Sequence, residues 1–209
     1  MATKTEPAWV TKADRASIWM VTVGALLVAA FILVGFVVTT VGQVTSGEVT
    51  FPAIMDTAVP AGEFGQDRGI TAATYTEAMV TAGGLSTFPF AAFIAANAVN
   101  TLTALIVALA LAFMGWRWLR GDPFRKSVIY SGIAAAIALM LGPFVALLIS
   151  TTATTRALLE IAGPKEGRPD LIFAAEFNLA PFLAGVGLAV VLGIFEAGQK
   201  LKADTDGLV

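Results

Sequence analysis

FAAFIAANAVNTLTALIVALALAFMG (90–115), WRWLRGDPFRK (116–126) and SVIYSGIAAAIALMLGPFVALLIS (127–150) follow one another without a break. Each outer run exceeds the roughly 20 helical residues that cross a hydrocarbon core of about 30 Å, and neither contains a Lys, Arg, Asp or Glu. The segment between them concentrates Arg117, Arg120, Arg125 and Lys126 beside Trp116 and Trp118. Gly121 suits the left-handed residue that ends a helix. Asp122 can then cap the next helix, with Pro123 at its first position, where a missing N–H costs nothing. Tryptophans and arginines together are the usual anchors at headgroup depth. The stretch therefore predicts two membrane helices joined by a tight turn. The same basic, aromatic turn also suits a cytoplasmic partner or an anionic lipid headgroup.

Two further apolar runs lie outside this hairpin, at 18–42 and 179–196. Lys12 and Arg15 precede the first, as in a signal peptide. That run is longer than a signal h-region and no A-x-A-like site follows, so it reads as a retained helix. Hydrophobic residues make up 57% of the 209 positions and charged residues 13%, about half the charge of a soluble domain. The expected fold is an all-α integral membrane protein. It is a four-transmembrane-helix bundle with a small extracytoplasmic β-cap built from the helix 1–2 and helix 3–4 loops. Cysteine and histidine are both missing. Disulfides, thiol nucleophiles, the usual zinc sites and His- or Cys-ligated haem are thereby excluded, and no cofactor is expected.

Charge sets the orientation. Lys4, Lys12, Arg15, Arg117, Arg120, Arg125, Lys126, Lys200 and Lys202 fall in segments 1–17, 116–126 and 197–209, whereas the intervening loops hold only Arg68, Arg156, Lys165 and Arg168. The positive-inside rule then puts both termini in the cytoplasm of a cell inner (plasma) membrane protein. The outer segments, 43–89 and 151–178, carry a net negative charge. VTSGEVTFPAIMD and GITAATYTEAMVT in the first of them alternate apolar and polar residues between Pro and Gly breaks, which favours short strands. The second continues helix 3 to about Ala162, where Gly163–Pro164 stops it. DLIFAAEF is expected to pair with strands of the first loop, and Asn178 to cap helix 4.

The polar side chains within the spans are Asn97, Asn100, Thr101 and Thr103, on roughly one face of helix 2. Interhelical hydrogen bonding is one use; an intramembrane notch opposite a kink at Pro143 is the other. Small residues at spacing four (Gly132 and Ala136, Gly193 and Ala197, Ala92 and Ala96) predict close helix packing. Glu48, Asp56, Glu63, Asp67 and Glu77 are scattered acids without EF-hand spacing. They read as solvated loop charge, with a weak calcium site as the other use. No catalytic or metal-binding constellation is present, and the chain is read as a non-enzyme.

Two local patterns carry a resemblance. One is Gly121-Asp122-Pro123-Phe124 in the turn. The other begins at Asn178-Leu179-x-Pro181 and runs to Phe195-x-x-Gly198-x-x-Leu201-x-x-Asp204. In these the chain resembles the DUF2975 family of small bacterial four-helix membrane proteins. After the turn it has Arg125-Lys126-Ser127-Val128-Ile129, where members often show an Asn and an Arg-Leu pair. Family members are often encoded beside a small helix-turn-helix regulator. The resemblance thus implies a membrane sensor or regulatory protein signalling through a cytoplasmic transcription regulator. The expected partner-binding surface is Phe124, Arg125, Glu196, Gly198, Leu201 and Asp204, besides contacts with membrane lipids. The other reading is an accessory subunit of a larger membrane complex, or a small lipid- or ion-binding or channel-like protein. The C-terminal segment FEAGQKLKADTDGLV serves as an anchor in one case and as a handle in the other.

Overall fold

A computed structural model describes residues 12–53, 57–58, 74–75, 78–120, 126–161 and 178–206. The described chain is mostly helical: α1 (Lys12–Ser46), α2 (Thr87–Leu119), α3 (Lys126–Ile161) and α4 (Ala180–Asp206). All four are long and apolar enough to cross a membrane. Between α1 and α2 lie four strands, β1 (Glu48–Ala53), β2 (Thr57–Ala58), β3 (Thr74–Tyr75) and β4 (Ala78–Gly83). The chain divides into two compact units. The first gathers 1–37, 98–145 and 178–209; the second gathers 38–97 and 146–177.

The first unit holds segments of all four helices, and its buried side chains are mainly alanine, including Ala108, Ala112, Ala135 and Ala136. Small residues let helix backbones approach closely where no water drives association. Glycines mark the tightest approaches. A Cβ at Gly132 would lie 2.6 Å from Leu192 Cδ2, and one at Gly185 would lie 2.8 Å from the Ala136 carbonyl oxygen. Gly193 has nothing within 4 Å of where its Cβ would be. The spacing rule therefore identifies a contact at Gly132 but not at Gly193, because spacing along one helix does not say which face meets a neighbour.

Two threonines are buried in this unit, Thr22 and Thr103. Each nests against a glycine of another helix: Thr22 of α1 against Gly115 of α2, and Thr103 of α2 against Gly142 of α3. Neither hydroxyl bonds across the interface. Thr22 Oγ1 donates to the Ile18 carbonyl at 2.8 Å, and Thr103 Oγ1 donates to the Val99 carbonyl at 2.9 Å. The expectation of interhelical hydrogen bonding fails at Thr103, since its own helix supplies the acceptor. Helix α3 runs through Pro143, and Gly142 before it leaves room for Thr103.

The second unit is built on the strands. β1 pairs antiparallel with β4, Val49 opposite Ala82 and Phe51 opposite Val80; β2 pairs with β3 as a separate two-stranded sheet. The period-2 pattern sorts the β1–β4 faces. Val49, Phe51 and Ala82 are buried with Ala157 of α3, and Val80, Leu85, Phe90, Phe93 and Leu158 pack around them. Phe51 stacks on Phe93 of α2 with ring centroids 4.8 Å apart. On the outer face, Thr50 and Thr81 share a hydroxyl hydrogen bond of 2.9 Å. The strands expected of the first loop are present as open two-stranded pairs. Residues 170–177, expected to join them, lie outside the described residues, as does the Gly121–Asp122–Pro123 cap.

Local chemistry fixes the helix ends. Gly47 takes a positive φ of 67°, and its N–H donates to the Gln43 carbonyl at 2.9 Å; this is the left-handed cap that closes α1 before the chain turns into β1. Asn178 accepts the Ala180 N–H at 2.9 Å and so caps α4 as expected. At the start of α2, Glu160 from the far end of α3 accepts the Ser86 N–H at 2.9 Å and also the Ser86 hydroxyl. A carboxylate brought by another helix thus satisfies an N–H beside the first turn of α2, where such groups otherwise lack partners.

Candidate functional site

The first unit contains an apolar cavity of about 450 Å³. Its walls come from all four helices, including Val21 of α1, Met114 and Trp118 of α2, Val128 of α3, and Leu192 and Phe195 of α4. On three helices these positions lie at one end, the start of α1, the end of α2 and the start of α3, and on α4 they fall near its middle. The cavity therefore sits at the end bearing the 116–126 turn. The contacts of Thr22 with Gly115 and of Gly132 with Leu192 lie alongside it.

The helix ends around this cavity are basic and aromatic. The Arg120 guanidinium lies over the Trp116 ring at 3.9 Å, and that of Arg117 lies 5.3 Å from the Phe113 ring centroid and 5.8 Å from that of Trp116. Such stacking holds the cations beside rings that favour a membrane interface. Arg117 Nε and Ser127 Oγ are buried and have no hydrogen-bond partner among the described residues. Lys126, the first residue of α3, is exposed. Together these residues place fixed positive charge at the end of α2 and the start of α3, next in sequence to the cavity's lining residues Trp118 and Val128.

The expected partner surface is only partly described. Phe124 and Arg125 lie outside the described residues. Glu196 and Gly198 are exposed on α4, and Leu201 and Asp204 follow on the same helix. At 100° per residue these four positions spread over more than half the helix circumference, with Glu196 and Gly198 on opposite sides. They do not form one stripe.

Of the residues of the expected intramembrane notch, Asn97 and Pro143 are half-buried and Asn100 is exposed. Two positions escaped the sequence reading: Thr40 Oγ1 and Gln43 Oε1, in α1, are buried without hydrogen-bond partners among the described residues. Their i, i+3 spacing puts them on one helix face, a signal obscured because both lie near the end of a long apolar run. Of the scattered loop acids, only Glu48 is described. Among the described residues no three acidic side chains gather as a metal site would require.

The chain matches no family model, no curated protein and no solved structure.

The Ser86–Glu160 clamp has its own electrostatics. Taking the crossing part of α3 as 127–150, Glu160 lies beyond the membrane span. The Ser86 hydroxyl, then the Ser86 N–H, hold its carboxyl below the usual carboxylate range; desolvation opposes this, and Arg156 adds a smaller lowering effect.

Proposed function

We propose that the protein is a multi-pass protein of the cell inner membrane, with both termini cytoplasmic, that acts as a non-enzymatic sensor or regulator and signals through a cytoplasmic protein partner. The observation that carries this reading is the length of α4. Its 27 residues extend about 40 Å at 1.5 Å per residue, against a hydrocarbon core of about 30 Å. The excess falls on the side of Lys200 and Lys202, whose charge complements both the helix dipole and an anionic leaflet. An ordered helix leaving the membrane by some two turns offers a partner a rigid surface. The sheet of the second unit, packed on the α2 and α3 segments of that unit, is the part we assign to meeting a stimulus. The resemblance to the DUF2975 family favours a helix-turn-helix regulator as the partner.

The test is a crosslinking pull-down from native membranes, comparing the full chain with one truncated after Ala203. A soluble regulator captured by the full chain and lost on truncation is the expected result. Membrane subunits captured equally by both would instead make the tail an anchor and the protein an accessory subunit.

The cavity among the four helices favours a second reading, in which the protein binds a lipid. Its walls, apolar apart from Ser17 and the indole N–H of Trp118, suit a hydrocarbon ligand better than an ion. The two readings are compatible if the lipid is what the membrane-embedded unit responds to.

A further inference from the structure

We propose that the cavity of the first unit is the acyl-chain site of an anionic phospholipid, with the chain among the four helices and the phosphate at the turn end near Arg120 and Lys126. The proposal rests on the membrane reading above and names the ligand class that the lipid-binding reading leaves open.

Three observations converge on this occupant. The first is size and chemistry. At about 450 Å³ the space falls within the range of about 300–1,000 Å³ typical of ligand cavities. Val21, Met114, Val128, Leu192 and Phe195 give it hydrocarbon walls. Water gains nothing there, since an apolar cavity lacks the two to four polar partners a buried water needs. An empty space deprives the wall atoms of dispersion partners, so an apolar occupant is favoured, and in a bilayer the abundant one is an acyl chain.

The second observation is position. The walls from α1, α2 and α3 come from one end of those helices, where Trp116 and Trp118 mark headgroup depth, and α4 adds Leu192 and Phe195 from its middle. A chain entering here leaves its headgroup at the aqueous boundary instead of carrying it into the hydrocarbon.

Charge is the third. By sequence, the helix ends on this side carry the cations Lys12, Arg15, Arg117, Arg120, Lys126, Lys200 and Lys202 against the acids Asp14, Glu196, Asp204 and Asp206, an excess of positive charge. The Arg120 guanidinium is held over Trp116, and Arg117 Nε has no hydrogen-bond partner among the described residues. A headgroup phosphate is an acceptor within reach of solvent-exposed cations such as Arg120 and Lys126. A zwitterionic lipid offers the same phosphate but opposes it with its own cation, so an anionic headgroup is preferred.

The experiment uses the full chain purified in mild detergent, mixed with phosphatidylglycerol, phosphatidylethanolamine or phosphatidylcholine, and read by native mass spectrometry. One retained lipid is expected, with phosphatidylglycerol favoured over phosphatidylcholine by about tenfold, as one to two cations acting on the headgroup would give. Val128→Trp fills the cavity from α3 and Met114→Trp fills it from α2. Each should reduce retention by about tenfold or more through lost chain burial, with helix content by circular dichroism unchanged. Should one variant misfold, the other still decides. Arg120→Gln combined with Lys126→Gln should keep retention but abolish the preference for phosphatidylglycerol. Equal retention by the wild type and a folded cavity-filled variant overturns the proposal, because the lipid is then on the outer surface. So does a chain that inserts fully, by cysteine accessibility from both sides of a vesicle, yet retains no phospholipid. A chain recovered without detergent in the soluble fraction would instead overturn the membrane reading itself.

Discussion

Gly115 and Gly142 each have a buried threonine as neighbour, and a missing methyl group is what lets α1 approach α2 and α2 approach α3. A Cβ at Gly115 would fall 3.3 Å from Thr22 Cβ and overlap its hydroxyl oxygen. Threonine is stiff at χ1, and the hydroxyl is already committed to Ile18, so the side chain has little freedom to yield. Gly115→Ala should destabilise the first unit by about 1–3 kcal/mol, the usual cost of overpacking. Thr22→Ala in the same chain should recover most of that loss. Unfolding in mixed detergent micelles measures both, with Gly193→Ala as the control that meets open space. Threonine–glycine pairing was not legible in the sequence. Spacing on one helix identifies small residues, but which of them meets a neighbour depends on the rotation and axial offset of two helices, which residues far apart in the chain set jointly.

Elements were more legible than contacts. The four long apolar runs and the Asn178 cap follow from local pattern, as does the alternation that makes β1 and β4 strands. What alternation leaves open is the surface that receives the buried face. Here Ala157 of α3 and Phe93 of α2 receive Val49 and Phe51, and the Ser86–Glu160 clamp ties the same two helices together. That clamp titrates. Because the Glu160 carboxyl lies below its usual value when folded, its contribution is fully present above the unfolded carboxylate pKa of about 4.3. The contribution is lost as pH falls through the lower folded value. The protection factor of the Ser86 amide in hydrogen exchange should therefore fall on acidification below about pH 4. In Glu160→Gln that protection should be lower at neutral pH and lose the acid transition.

At the scale of the molecule, the outward faces of the helices are as apolar as their contacts. Phe31 is 80% exposed, Met20 75% and Ile194 67%, on helices without a charged mid-section. A soluble protein rarely shows such extended apolar surface, whereas a lipid-facing helix requires it. Phe31 lies near the centre of α1, so Phe31→Arg should raise the cost of inserting that helix by about 2.5–3.5 kcal/mol. A translocon-based insertion assay on α1 reads that change directly, and Phe31→Leu should insert as well as the original. Composition alone made this property legible, because 57% hydrophobic residues exceed what the interior of 209 residues can take up.

The threonines that return their hydroxyl protons to Ile18 and Val99 have a consequence for biogenesis. A side chain satisfied within its own helix needs no partner helix to be tolerated in hydrocarbon. At these two sites α1 and α2 can leave the translocon singly, in the order of synthesis, with no unmet hydroxyl awaiting a later segment. Helix docking then becomes a separate step governed by shape. A substitution that spoils a threonine–glycine fit is consequently expected to yield a chain that inserts with normal topology but assembles poorly.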